Sequence, residues 1–173
     1  MRSSVFGVPL EELVLSDAGI PSFLRVICDI IKKNSKMQGI FRVPGSQSLV
    51  DEMNVAFGRD EQPRPETIDV YSAASFLKQW LIYLPTPLLD PSIVNLFNTT
   101  KVGWFKRVLE CLPMLNRLCT AAIFDVIEEV YNHREENQMN FMNLAICFCG
   151  SLTQNSKGLK YPFPFKTVCE SAF

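Results

Sequence analysis

The stretch GIFRVPGS, residues 39–46, sets Arg42 between two glycines and a proline, directly after an apolar pair. Arginine carries a planar fork of donors that matches phosphate oxygens, and a stiff loop lowers the entropy lost on using it. From Ile30 to Val50 the chain has no acidic residue, while Lys32, Lys33, Lys36 and Arg42 all fall inside that window. A constrained arginine in a local run of positive charge suits an anionic target, phosphate above all. Two plainer readings stand beside this one: Arg42 caps the carbonyl end of the helix before it, or it is simply solvated.

The other residues with chemical potential do not assemble a site of their own. The single histidine, His133, lies in the polar run YNHREENQ and reads as solvated loop. Cys28, Cys111, Cys119, Cys147, Cys149 and Cys169 form no CxxC pair, so they read as reduced, small core residues rather than metal ligands or disulfides. That removes histidine-based triads and zinc hydrolysis together. Glu128/Glu129 and Glu135/Glu136 are adjacent pairs. On a helix, neighbours diverge by about 100°, so these carboxylates do not converge on one substrate. No G-x-x-x-x-G-K-[ST] is present, nor a G-x-G-x-x-G following a strand. With a net charge of −1 the chain is not expected to bind nucleic acid. No apolar run approaches the ~18 residues of a membrane span, and the start lacks a signal-peptide pattern. A soluble, cytoplasmic protein without membrane insertion is the expectation.

The elements that must position Arg42 read as helices throughout. SFLRVICDIIKKN follows Pro21, a favourable first helical residue, and carries the stripe Phe23, Ile27, Ile30 and Ile31 with Lys32 and Lys33 at its end. SQSLVDEMNVAFG is a short helix with Ser46 as cap, an apolar side of Leu49, Met53 and Phe57, and Gly58 as stop. RDEQPRPET is loop. DVYSAASFLKQWLIYLP is an apolar helix ending before Pro85. Asp90-Pro91 opens another helix, and KVGWFKRVLECLP follows. LNRLCTAAIFDVIEEVYNHRE places Leu115, Leu118, Ala122, Val126 and Val130 on one stripe, widened by Cys119, Ile123 and Ile127. Asn137–Asn140 separates it from FMNLAICFCGSL, apolar nearly all round and so expected to be buried. Strand alternation and repeats are lacking. The reading is an all-α fold, a single domain over residues 1–173 with seven to nine helices, in which YPFPFKTVCESAF suits a last helix cut short.

GIFRVPGSQSLVDEM resembles the arginine-finger loop and following helix of Rho-family GTPase-activating protein (RhoGAP) domains. SAASFLKQWLIYLPTPLL is similar to the family's "A-x-x-L-K-x-F-L-R-x-L-P-x-P-L", LPMLNRLCTAAIFDVI to its "L-P-x-x-N" helix, and NQMNFMNLAICFCGSL to its "N-K-M-x-x-x-N-L-A-x-x-F-x-P-x-L". FGVPLEEL and IPSFLRVICDII resemble the family's opening, so the likeness runs from Phe6 to Leu152. It implies a helical domain, acting as a monomer, that inserts an arginine into the nucleotide pocket of a Rho-, Rac- or Cdc42-like GTPase. GTP and Mg²⁺ would belong to that partner, and the domain would hold no cofactor. It would be an activator rather than an enzyme.

By the same resemblance Arg42 is the catalytic finger, supported by Gly39, Pro44 and Gly45. Lys78 is the family's lysine, and Asn143 is its partner-contacting asparagine. Lys78 otherwise reads as snorkelling from a packed face, and Asn143 as a core amide satisfied by backbone. Asn116 reads as structural. Two positions depart from the pattern: Ile82 stands where the family carries arginine, and Gly150 where it carries proline. A helical module that binds a GTPase without activating it, and an unrelated helical enzyme, are the alternatives.

Overall fold

The structure, a computed structural model, describes residues 3–94, 96 and 103–154. The proposed helix in YPFPFKTVCESAF lies outside the described residues. Among those residues there are eight α-helices and two short 3₁₀ turns, and no strand beyond an isolated bridge between Leu15 and Pro21.

Each helix forms where an apolar stripe meets a local start or stop. Helix α1 (Ser22–Lys33) begins directly after Pro21, which takes the cap position one residue before the predicted one. It buries Phe23, Leu24, Ile27, Cys28, Ile30 and Ile31. Its end is closed by Asn34, whose Nδ2 donates to Ile30 O at 2.8 Å. Helix α2 (Gln47–Gly58) is capped by Ser46, which accepts from Leu49 N. Gly58 does not stop α2 through a left-handed conformation. The chain comes too close there: a Cβ would stand 2.4 Å from Ser4 N. Asn54 of α2 pins that N-terminal strand of chain, its Oδ1 accepting from Val5 N at 2.9 Å and Phe6 N at 3.0 Å.

Helix α3 (Val70–Tyr83) is the centre of the molecule and packs on α1, on α2 and on the last helix, α8 (Phe141–Thr153). Ala73, Ala74, Phe76, Leu77, Trp80 and Leu81 are all buried, the alanines allowing close approach of neighbours. Phe6, Phe23, Phe57 and Trp80 collect around Phe76 and one another, with Phe6–Phe76 at 5.0 Å and Phe23–Trp80 at 5.3 Å. Such edge-on and tilted pairs add about 0.5–1.5 kcal/mol each beyond their burial. Helix α4 (Pro91–Val94) is started by Asp90, whose Oδ1 accepts from Ser92 N at 2.8 Å. Helix α5 (Trp104–Cys111) buries Trp104, Phe105 and Val108.

Helix α6 (Met114–Asn132) is where the expected stripe shifts. Its buried line is Cys119, Ile123, Val126, Ile127 and Val130, with Thr120 and Phe124, whereas Leu115, Leu118 and Ala122 are only partly covered. The residues expected to widen the face are its middle, because α1 packs on that side. Helix α7 (Arg134–Asn137) fills the polar run in which a loop was expected. His133 is accordingly not a solvated loop residue: it ends α6 and lies between Glu129 (3.2 Å) and Glu136 (3.1 Å). Helix α8 is not buried all round either; Met142 and Ile146 are exposed on one side, while Leu144, Ala145, Phe148 and Leu152 face the core. Of the described cysteines, Cys28 and Cys119 are buried, Cys147 and Cys149 half-buried, and Cys111 exposed, and none of the five forms a disulfide; Cys169 lies outside the described residues.

The start of α3 generates a pH prediction. Asp69 caps the helix, accepting from Ser72 N at 2.9 Å and Ser72 Oγ at 2.6 Å. Burial acts to raise its pKa, but the hydrogen bonds from the Ser72 side chain and backbone outweigh this and hold it below the usual aspartate value. A carboxyl whose folded pKa is depressed adds stability that is present above its unfolded pKa, about 3.9, and is lost as pH falls through the lower folded value. Asp69→Ala should therefore destabilise by about 1 kcal/mol at pH 7. The gap from wild type should close as thermal melts are repeated below pH 4; a constant gap would show that the loss is not the carboxylate's.

Candidate functional site

The loop between α1 and α2 is built on α3. Tyr71 Oη donates to Gln38 O at 3.0 Å, Ser75 Oγ accepts from Gly45 N at 3.0 Å, and Ser72 Oγ accepts from Ser46 N at 2.9 Å. Gln79 Nε2 donates to Gln47 Oε1 at 2.9 Å. Residues 71, 72, 75, 78 and 79 stand at i, i+1, i+4, i+7 and i+8, so one helix face holds the loop from end to end. Lys78 stands in the middle of that face. Its half-buried side chain runs inward, and Nζ donates to Phe41 O at 2.6 Å. It does not snorkel toward water; it reaches the residue immediately before Arg42.

The backbone of Phe41 explains what that lysine holds. Phe41 has φ 70°, the left-handed region that a bulky side chain rarely adopts. The ring is fully buried and packs edge-on against Phe148 of α8, centroids 4.6 Å apart. With the ring anchored and the peptide turned, Arg42 projects exposed from the surface. Arg42 N and Val43 N both donate to Gly39 O at 2.8 Å, which closes the turn.

The three support residues act in different ways. Gly39 has φ 72°, and a Cβ there would stand 2.8 Å from Val43 Cγ2 and close to the Arg42 guanidinium. Gly45 is required by proximity: a Cβ would meet the Ser72 backbone at 2.3 Å. Pro44 is exposed between them, its ring restricting the chain as it leaves the turn.

The reading of Arg42 as a cap for α1 fails, because Asn34 performs that task. The positive window also looks different in space. Lys32 pairs with Asp125 of α6 at 2.5 Å and Lys36 with Glu136 of α7 at 3.3 Å. Arg42 forms no ion pair among the described residues. Charge absent from the local sequence is thus returned by other helices to Lys32 and Lys36, while exposed Lys33 and Arg42 have no ion pair among the described residues.

Asn143 lies half-buried in the first turn of α8, its Nδ2 donating to Gln138 O at 3.0 Å. It is neither a core amide nor wholly free, and its satisfied group is at the surface. The residue that sequence reasoning missed is Asn137. It is fully buried, its Nδ2 donating to Ser35 O at 2.7 Å and Val130 O at 2.6 Å, and its Oδ1 accepting from Met139 N at 2.7 Å. Its own carbonyl accepts from Gly39 N at 2.8 Å. One residue therefore ties the segment after α1 and the end of α6 through its side chain, and the root of the Arg42 loop through its main-chain carbonyl. The polar surroundings NHREENQ conceal it; only its place in the run ahead of α8 set it apart. Asn116 is structural as read, Nδ2 donating to Leu88 O at 3.2 Å.

The two departures differ. Ile82 is 53% exposed, one turn beyond Lys78 on α3. Gly150 is exposed inside α8, which runs on to Thr153, and nothing lies within 4 Å of where its Cβ would be. Nothing in the structure explains a glycine there.

This arrangement of helices is shared with solved structures. Human Rho GTPase activating protein 15 superposes with a TM-score of 0.81 at 18% identity, covering 98% of this chain and 88% of that one. The BH domain of GRAF, the GTPase regulator associated with focal adhesion kinase, gives 0.68 at 20% identity, over 86% of this chain and 88% of that one. The pattern of the RhoGAP domain matches residues 21–157, and the chain belongs to that family. Relatives include RalA-binding protein 1-A of Xenopus laevis, 32% identical over 82% of this chain and 24% of its own length. Rho GTPase-activating protein gacY of Dictyostelium discoideum is 27% identical over 89% of this chain and 23% of its length. The chain thus spans about a quarter of these two relatives.

The two asparagines should separate cleanly in stability. Asn137→Ala takes the Asn137 bond from the Ser35 carbonyl and the Met139 N–H, and one of two donors from the Val130 carbonyl, and should lower unfolding free energy by about 2–4 kcal/mol. Asn143→Ala, at the surface, should change it by less than about 1 kcal/mol. Urea unfolding of both variants checks the ordering; equal losses would mean that Asn143 is a structural amide after all.

Proposed function

We propose that this domain stimulates GTP hydrolysis by a Rho-family small GTPase, supplying Arg42 in trans. The observation that carries the reading is the Lys78–Phe41 contact, which fixes the backbone at the foot of an exposed and unpaired arginine. Family membership supports it, as do the Rho GTPase-activating relatives. The nucleotide and Mg²⁺ are the partner's; this chain contributes a preorganised guanidinium. As the γ-phosphoryl group transfers, negative charge builds on its oxygens and on the leaving oxygen. An arginine placed there stabilises the transition state more than bound GTP, which raises the hydrolysis rate rather than only the affinity.

A protein partner also suits the surroundings. Exposed apolar side chains accompany each polar group: Met37 and Val43 beside Arg42, Ile82 a turn from Lys78, and Met142 and Ile146 either side of Asn143 in sequence. The cavity of about 160 Å³ lined by Pro9, Leu10, Pro87, Asp90, Ile93 and Asn116 contains none of the site residues. In this reading Lys78 positions the finger loop and Asn143 contacts the GTPase. The second reading, a module that binds without activating, draws on Ile82 and Gly150, and the same assay separates the two.

Single-turnover GTP hydrolysis across a panel of Rho, Rac and Cdc42-like GTPases tests the proposal. At least one should respond, and Arg42→Ala should remove about 1,000-fold of rate at saturating domain while binding persists. Asn143→Ala should weaken binding instead. Acceleration that survives Arg42→Ala would overturn the finger assignment, and binding without acceleration in wild type would favour the second reading.

Ile82→Arg gives an independent check. An arginine at this exposed position need not bury its charge and can approach the loop beside Lys78. The saturated rate should rise, with partner affinity changing less. An unchanged rate in a folded Ile82→Arg protein would count against Ile82 as the weak point and mean that something else braces the loop or that activity is lost elsewhere, with Gly150 the next suspect.

A further inference from the structure

The Phe41 carbonyl has a second neighbour that no family motif singles out. Cys147 Sγ, on α8, lies 3.6 Å from Phe41 O, while Lys78 Nζ reaches the same oxygen from α3 at 2.6 Å. A carbonyl oxygen has two lone pairs, and this one belongs to a residue fully buried from water.

We propose that Cys147 is a positioning residue for Arg42, its S–H completing a two-donor clamp on the Phe41 carbonyl. The inference rests on the reading of Arg42 as the finger. The two donors differ in what they constrain. Lysine fixes the oxygen toward α3 through a long stem, and a second donor on another helix narrows the freedom that this stem leaves. The thiol sits one bond from the Cβ of a packed helix, so it fixes the oxygen against α8. Phe148, the next residue, holds the Phe41 ring from that helix. Backbone and side chain of Phe41 are thus both referred to α8, and Arg42 inherits the position.

The thiol is in the right protonation state for this role. Burial pushes the Cys147 pKa up, against the opposing pull of Lys78 and Arg42, and the net direction is upward. It therefore keeps its proton near neutrality and remains a donor. A thiolate would instead face the carbonyl with negative charge. Thiols are weak donors, so the effect belongs in the rate at saturation and should be modest.

Cys147→Ala and Cys147→Ser, in the full domain, test the clamp by two readouts. The first is single-turnover hydrolysis at saturating domain with a responsive GTPase. The second, which needs no partner, is hydrogen exchange at the Arg42 and Val43 amides, both bonded to Gly39 O. Cys147→Ala should lower the saturated rate about 3- to 10-fold. Its partner Kd should stay within about twofold, and both amides should exchange faster. Serine restores a hydroxyl donor on a shorter bond and should recover part of both losses. Unchanged rate and exchange in Cys147→Ala would overturn the proposal. So would serine and alanine variants that are impaired equally, because that pattern reports lost volume rather than a lost donor. Arg42→Ala run alongside keeps the two readings apart: if it leaves the rate intact, the finger assignment fails, while the amide exchange still judges the clamp.

Discussion

A single charge-assisted hydrogen bond, from Lys78 Nζ to the carbonyl of Phe41, organises the candidate site. Phe41 sits in a left-handed conformation that costs a non-glycine residue about 1–3 kcal/mol. A hydrogen bond from a charged donor is worth about 1.5–3 kcal/mol, which is enough to offset that strain. The match matters because the strained peptide gives the loop its direction. In the ordinary extended or helical conformation the Phe41 carbonyl would turn away from Lys78, and Arg42 would leave the loop at another angle. The ring of Phe41, buried against Phe148, prevents the chain from relaxing by swinging outward.

Around this bond the structure distributes the work over elements distant in sequence. Helix α3 serves as the bed of the loop through Tyr71, Ser72, Ser75, Lys78 and Gln79, and is itself immobilised by its buried aromatic and aliphatic side. Asn137 performs the equivalent task at the loop's root, using one buried amide to join the segment after α1 to the end of α6. The position of the Arg42 backbone therefore depends on packing between helices more than on the stiffness of its own loop. Pro44 narrows the local choices, but the contacts beneath choose among them.

The electrostatics follow the same division. Lys32 and Lys36 stand near Arg42 in sequence, yet each is met by a carboxylate from α6 or α7. Pairing removes them as rivals for an anionic target and ties the stem of the loop to the body of the domain. The tip of the loop presents the Arg42 guanidinium, without an ion pair among the described residues, next to exposed Val43. In the proposed function such a surface meets a protein partner that brings its own phosphate, apolar contact supplying affinity and the arginine acting on developing charge.

The amino-acid sequence by itself determined the helical class and most helix limits, and singled out Arg42, Lys78 and Asn143 as candidates. Helix periodicity, the Ser46 cap and the proline boundaries are local properties, written within a few residues. Family motifs likewise name residues by order and spacing. Tertiary structure alone decided which side of α6 is core, why α8 leaves Met142 and Ile146 exposed, and that Asn137 rather than Asn143 is the buried amide. It also decided that Gly58 answers to the backbone of Ser4, and Gly45 to that of Ser72. These are contacts between segments separated by tens of residues. A stripe shows that a face is apolar but not what will cover it, and a lysine in a helix does not disclose which carbonyl it will reach. Hydrogen-bond partners and burial are set only when the helices pack, which is why the grip on Phe41 became visible in the fold.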